Sequence, residues 1–364
     1  MTRLSRLHLA MQENGYDGFI ATRRPNQLYF TPAAEPVSDL PPVAYILYTA
    51  DEVTVIPGQM FYYAARDGLP DCEVVETLVG GVDPVTALAQ HCQRRGLQRV
   101  VCDRIEPAVA RRLRADVPGL DIVEDARFGS LLRRKKEADE LVLLRAAARI
   151  SDLGIQAAFA TARPGVTNRE IAAAATEVML AAGCEEVGLQ VASGSGTAYM
   201  GTGSWVSQPW RKVEAGDMLL VDMGILYHGY LGDQTRTAAI GDPTPQQQEI
   251  IETVQQAYRL TRDAMRPGAT AQSLYAITVD LYREKGWHPY FPHHISHGLG
   301  LGEDVPRIAH GSQDVLESGD TLSCEPGVYL PGIGGARFEN MLLIRQHGAE
   351  ELTQSPVDPV VGTR

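Results

Sequence analysis

The stretch LLVDMGILYHGYLGDQTRT, Leu219 to Thr237, places two acids in a setting that has to neutralise both. Leu219 to Leu226 reads as a mostly buried strand, Tyr227 to Tyr230 as a turn, and Leu231 to Ile240 as the returning strand. If the turn centres on Tyr227–His228, Asp222 lies opposite Asp233. If it centres on His228–Gly229, Asp222 opposes Thr235 and Asp233 becomes its diagonal neighbour. Both registers leave the two carboxylates on one face, because side chains alternate with period two. Opposed like charges destabilise a sheet and buried carboxylates need a partner, so the hairpin demands a source of positive charge.

That demand is doubled elsewhere in the chain. RPGVT at Arg163 to Thr167 recurs as RPGAT at Arg266 to Thr270, an offset of 103 residues from Pro164 to Pro267. Each motif ends one helix and begins another, and Thr167 with Glu170 forms a capping box. Gly183 and Gly286, where the second helices stop, keep the same offset. Carried forward from Asp222, it lands on Glu325, inside TLSCEPGVYLPGIGGARFENMLL. That segment has the same strand–turn–strand design, with Glu325 and Glu339 expected in the places of Asp222 and Asp233. Residues 137 to 345 therefore read as two copies of helix–helix–hairpin. Equivalent halves would pack about a pseudo-twofold axis with their hairpin faces meeting. Four carboxylates would then converge, and two divalent metals are the simplest way to neutralise them.

The residues before the repeat alternate differently. A helix at the start leads to DGFIAT, VAYILYT, EVTVIPG, CEVVET, a helix over Val85 to Arg95, RVVCDR, another helix and DIVED. Such interleaving predicts an α/β domain over residues 1–128, followed by an α+β domain over 129–364. A net charge of −12 argues against a broad nucleic-acid surface or an acidic membrane as partner. No apolar run approaches the length of a membrane span, and the first residues contain no signal-type apolar core. The five cysteines are scattered without a C-x-x-C pair, which points to a reducing, cytoplasmic setting. The SGSGT loop at Ser193 to Thr197 has neither P-loop nor dinucleotide spacing, and the chain contains no G-x-S-x-G elbow and no H-E-x-x-H helix.

A further candidate ligand lies in YFPHHISHGLGLGEDVP, where His293, His294 and His297 precede closely spaced glycines. Phe291-Pro292 before them and the glycines after argue for a loop rather than a helical zinc motif. His293 and His294 are adjacent on that loop and are expected to point apart, with His293 toward the site.

The set Asp222, Asp233, His297, Glu325 and Glu339 resembles the metal ligands of the pita-bread metallopeptidases, the superfamily of methionine aminopeptidase, prolidase, aminopeptidase P and creatinase. DMG…GDQTRT, HGLGLG, CEPGVYLPG and ARFEN are similar to its signature segments in order and spacing, and the first domain resembles the creatinase/prolidase N-terminal domain. The resemblance covers nearly the whole chain and points to the proline-peptidase branch, an Xaa-Pro dipeptidase or aminopeptidase acting on small peptides. It implies that Asp233 and Glu339 bridge two divalent ions, that Asp222 completes one site, and that His297 with Glu325 completes the other. Carboxylates with one imidazole suit manganese, cobalt or zinc alike, and manganese is the expectation, with cobalt or zinc as alternatives. It further implies that Glu325 shuttles a proton from water toward the leaving proline nitrogen. His293 would hydrogen-bond the substrate carbonyl oxygen, and Arg337 would bind a carboxylate or a bridging ligand. A homodimer is the family's expectation.

Two departures from the family's pattern stand out. The family follows HGxGL with two residues and then His-Glu, whereas Gly302-Glu303-Asp304-Val305 stands here, one residue short. Peptidase members also carry a histidine where this chain has Met200-Gly201. Two alternatives accompany the peptidase reading. One is a hydrolase or lyase of a small non-peptide C–N substrate, of creatinase or ectoine-hydrolase type. The other is a pita-bread binding protein without catalysis, against which the retained ligand set speaks.

Overall fold

The computed structural model describes residues 2–32, 40–78, 80–199 and 205–356. The chain divides into two compact units, Met1–Arg133 and Arg134–Arg364.

The first unit is built on a mixed sheet of β1 (Gly18–Ala21), β2 (Val43–Tyr48), β3 (Val53–Pro57), β4 (Glu73–Val74), β5 (Arg99–Cys102) and β6 (Asp121–Glu124), in the order β4-β3-β2-β1-β5-β6. β1 and β3 are buried along their whole length, the continuous apolar run of strands shielded on both faces. The helices are α1 (Arg3–Glu13), α2 (Arg24–Phe30), α3 (Tyr62–Gly68), α4 (Pro84–Arg94), α5 (Pro107–Asp116) and α6 (Phe128–Leu132). All six strands are those read from the sequence. The short helices α2, α3 and α6 are additions, too brief for helical periodicity to show, although a proline in the first turn marks α2.

The second unit contains the repeat. Its first half runs α7 (Ala138–Thr161), α8 (Asn168–Ala181), β7 (Glu186–Ser193), β8 (Trp205–Val206), β9 (Met218–Tyr227) and β10 (Tyr230–Ala239). The second half runs α9 (Pro245–Ala264), α10 (Ala271–Glu284), β11 (Ser296–Gly300), β12 (Gly302–Ile308), β13 (Thr321–Cys324), β14 (Gly327–Leu330), β15 (Gly334–Arg337), β16 (Asn340–Arg345) and β17 (Gly348–Glu351). One sheet is ordered β10-β9-β7-β8 and the other β12-β11-β13-β16-β17, so β10-β9-β7 is matched by β16-β13-β11.

The offset of 103 residues survives in atomic detail. Thr167 and Thr270 both cap their helices through the side-chain oxygen. Gly165 N donates to Val213 O at 2.8 Å, and Gly268 N donates to Leu316 O at 2.8 Å. On the return strands the offset is 104: Ile240 N donates to Asp217 O at 2.7 Å, and Ile344 N donates to Asp320 O at 2.8 Å. The second hairpin holds one extra residue, and this corrects a sequence expectation. Glu325 matches Asp222, but Glu339 takes the place of Thr235, and Arg337 takes the place of Asp233. Thr235 and Glu339 themselves form an antiparallel bridge, as symmetry-related residues at a pseudo-twofold axis do.

Period two then sorts the faces. Leu219, Val221, Met223 and Ile225 of β9 pack into the core of α7 and α8. Leu322 and Cys324 of β13 pack with residues of α9 and α10. The intervening residues, Asp222 in one half and Glu325 just past β13 in the other, face the opposite way. Each half turns its helices outward from a carboxylate-bearing face, and these faces meet where β10 runs beside residues 337–340, with Glu339 N donating to Thr235 O at 3.1 Å.

Candidate metal centre

Asp222 pairs with Thr235, and Asp233 with Gly224. The turn is therefore His228–Gly229, the second of the two registers, and both residues have positive φ, 47° and 77°. That two-residue turn matches the twist of the flanking strands, and it puts Asp222, Asp233 and Thr235 on one face. Glu325 and Glu339 come from the gap between two ladders, where Cys324 pairs with Asn340 and Gly327 with Arg337. His297 lies on strand β11 rather than on a loop, which corrects the sequence reading; His293 and His294 precede the strand. Gly298 in the same strand lets the backbone of Val305 come closer than a Cβ would permit.

These side chains converge. His297 Nε2 lies 3.4 Å from Asp233 Oδ2 and 3.4 Å from Glu325 Oε1. Donor atoms of Asp233, His297 and Glu339 fall within 4.8 Å of one another, as do those of His294, His297 and Glu325. Thr235 Oγ1 is 2.6 Å from Asp222 Oδ1 and 2.7 Å from Glu339 Oε2. Arg337 Nη2 reaches Asp222 Oδ2 at 2.6 Å, and Arg337 also donates to the Tyr329 hydroxyl and to Thr235 Oγ1. Tyr329 in turn sits 2.9 Å from His293 Nε2.

The electrostatics show how the centre is neutralised. Burial pushes the Asp233 carboxyl up to about 6 against the pull of its His297 hydrogen bond, with Asp222 and Glu325 adding to the rise. Glu339 is pushed well above the carboxylate range, first by burial and then by Asp233, Glu325 and Asp222. The Thr235 contacts fit that rise, since one hydroxyl proton cannot serve both the Asp222 and the Glu339 carboxylates. Burial alone would lower His297, but its hydrogen bond to Asp233 and the Glu325 and Asp233 charges lift it to about 10. Glu325 is held below the usual range: burial opposes this, and the His294 hydrogen bond with the neighbouring histidines overcomes it. Burial lowers His293 to about 4, which leaves it a neutral ring.

Divalent ions fit this donor set. Carboxylates with one imidazole suit first-row divalent metals, and the protons held by Glu339 and His297 occupy the positions that such ions would replace. His297 is also oriented for the task. Its Nδ1 faces Gly298 O at 3.1 Å, which places the ring N–H there and turns Nε2 to the carboxylates.

The structure brings together Asp222, Asp233, His297, Glu325, Glu339 and Arg337, with His293 one step away behind Tyr329. Met200-Gly201 lies outside the described residues. Asp304, on β12 opposite Gly298, has its carboxylate 3.9 Å from Lys136 Nζ, both side chains 1% exposed. Sequence reasoning missed Thr235, Tyr329 and His294. Parity could have found Thr235, because it shares the face of Asp222. His294 was expected to point away, yet its Nε2 is 3.0 Å from Glu325 Oε1.

Comparison with known proteins agrees with this geometry. The family described as metallopeptidase family M24 matches residues 142–346, and the creatinase/prolidase N-terminal domain matches residues 3–128. An Xaa-Pro dipeptidase of Pyrococcus furiosus is 29% identical, over 97% of this chain and 98% of its own. The solved prolidase of Pyrococcus horikoshii superposes with a TM-score of 0.85 at 26% identity, covering 98% of this chain and 99% of that one. An X-Pro aminopeptidase of Thermotoga maritima has the same score and identity, with 98% and 99% covered.

Proposed function

This chain belongs to metallopeptidase family M24, and from that premise we propose that it cleaves the Xaa-Pro bond of dipeptides or short peptides with two divalent ions. The observation that carries the reading is the close cluster of Asp233, His297, Glu325 and Glu339, edged by Asp222 with Arg337 Nη2 at 2.6 Å.

In this reading Asp233 and Glu339 would be held in common by both ions, Asp222 would complete one site, and His297 with Glu325 would complete the other. Bound there, divalent ions acidify water and polarise a carbonyl oxygen. Glu325 takes the proton from the attacking water and returns it to the leaving proline nitrogen. Tyr329 serves the substrate oxygen with His293 behind it: His293 Nδ1 donates to His294 O at 2.6 Å, so Nε2 accepts the Tyr329 proton and holds that hydroxyl until it turns to donate to a substrate oxygen. Arg337 keeps Asp222 and Tyr329 in place, and its charge is available to a substrate carboxylate. Manganese is the metal we favour, with cobalt or zinc as alternatives. The expected setting is a cytoplasmic homodimer, a setting in keeping with five free cysteines. Among the described residues no helix is long and apolar enough to cross a membrane.

A second reading, hydrolysis or lysis of a small non-peptide C–N substrate, draws on Asp304, which stands with Lys136 where the family pattern has a histidine. The discriminating experiment is a panel of Xaa-Pro dipeptides, Xaa-Pro tripeptides and creatine, assayed with and without added Mn²⁺. Manganese-dependent release of proline from the dipeptides supports the peptidase. Turnover of creatine alone moves the assignment to the second reading, and turnover indifferent to chelation contradicts both.

A further inference from the structure

We propose that His294 is a positioning residue for Glu325, locked by Arg307 in the tautomer that donates to the carboxylate and cannot bind metal. The proposal rests on the peptidase reading for what Glu325 does, but its geometry stands apart from substrate. His294 Nε2 is 3.0 Å from Glu325 Oε1, close enough to His297 and Glu325 for the ring to pass for an additional ligand. The other ring nitrogen decides between the two roles. Arg307 Nη2, from β12, lies 3.0 Å from His294 Nδ1. A guanidinium carries donors only, so Nδ1 must present its lone pair and the ring proton must sit on Nε2. A metal ligand would need the reverse, and Nδ1–H would then face an Arg307 N–H with no acceptor between them.

His297, three residues on, has the opposite arrangement, with Nδ1 facing a carbonyl oxygen, Gly298 O, and Nε2 left for a ligand. One loop and strand thus hold two imidazoles with opposite partners at Nδ1, a carbonyl oxygen for His297 and a guanidinium for His294, leaving one Nε2 for metal and the other for Glu325. The Ser323 hydroxyl also reaches Glu325 Oε1, at 3.0 Å. Two donors on one oxygen fix the plane of the carboxylate, which a group that receives and returns a proton requires.

The first test uses no substrate. Nitrogen-15 NMR of the metal-free protein should show His294 with a bare Nδ1 and a protonated Nε2, and in Arg307→Glu, where a carboxylate would face each ring nitrogen, both nitrogens protonated. Added Zn²⁺ should shift His297 as a ligand and leave His294 protonated at Nε2. In the loaded enzyme, His294→Ala should lower kcat on an Xaa-Pro dipeptide by roughly ten- to a hundredfold, with KM and metal content kept. His294→Gln, which restores a donor, should recover most of the loss, whereas Arg307→Glu, which keeps the Nε2–H donor, should not reproduce the alanine variant's loss. A protonated Nδ1 in the parent, the loss of an ion from His294→Ala, or undiminished kcat in that variant would overturn the proposal. Absence of Xaa-Pro turnover in the parent would instead overturn the peptidase reading, and the NMR result would still decide the tautomer.

Discussion

Strands β9 and β10 and strands β13 and β16 are laid out alike, with helices on one side, a carboxylate at the matching point of each first strand, and loops tied by equivalent backbone hydrogen bonds. Their side chains diverge just where they meet. The first half contributes Asp222 and Asp233; the second contributes Glu325, an arginine in the place of Asp233, and a glutamate in the place of Thr235. Strand pairing extends the contrast: Ser193 lies opposite Leu219 as Gly298 lies opposite Leu322, so His297 occupies the place of Ala192. A strictly repeated site would stack identical acids about the axis. The departure from symmetry sets Arg337 and His297 among them, and the difference teaches that the repeat supplies a scaffold while its exceptions supply a centre that can hold cations.

The comparison can be broken at several points. The largest effect belongs to Asp233, an acid whose place in the other half is held by Arg337. As a shared ligand its change to Asn should empty both metal positions and take activity to background, whereas Asp222→Asn should chiefly empty one. Elemental analysis reads this directly, and an unchanged metal count in Asp233→Asn contradicts the assignment. Next is Arg337, the cation in the matching place. Arg337→Met leaves Asp222 buried without its partner and should cost the metal-free protein about 3–5 kcal/mol by denaturant titration; a loss below about 1 kcal/mol would place the neutralising charge elsewhere. His293→Ala should lower kcat on an Xaa-Pro dipeptide by about a hundredfold with metal content preserved. Near-normal turnover in that variant would leave His293 a structural group. The smallest effect tests the shared scaffold. Thr167→Ala and Thr270→Ala each remove one N-cap and should each cost about 1 kcal/mol. A large inequality between them would show that the equivalent caps carry unequal loads.

Much of this was legible because it depended on period and spacing. The offset from Thr167 to Thr270 announced the repeat, and parity put Asp222 and Asp233 on one face in either register. Where the chain departed from its own period, the reading slipped. One inserted residue in the second hairpin moves Glu339 onto Thr235 and Arg337 onto Asp233, and nothing in the local residue types signals the insertion. Flanking glycines make His297 read as part of a loop; the strand tolerates Gly298 because a neighbouring backbone fills the space of a side chain. The direction of His294 escapes the local sequence because it is set by Arg307 and Glu325, 13 and 31 residues away, contacts that no local pattern encodes.

The central claim, a carboxylate and imidazole cluster that holds protons in the place of two divalent ions, is tested most directly by calorimetric titration of the metal-free protein with Mn²⁺. The titration is run at several pH values, in buffers of different ionisation enthalpy. With His297 lifted to about 10 and Glu339 raised well above its usual range, metal entry at neutral pH must displace protons. Below about 6 Asp233 holds a proton too, so affinity should fall further as pH drops through that point. The account predicts two ions per chain, net proton release, and affinity that weakens steadily with acidity. A single ion, or binding without proton release and indifferent to pH, would contradict it.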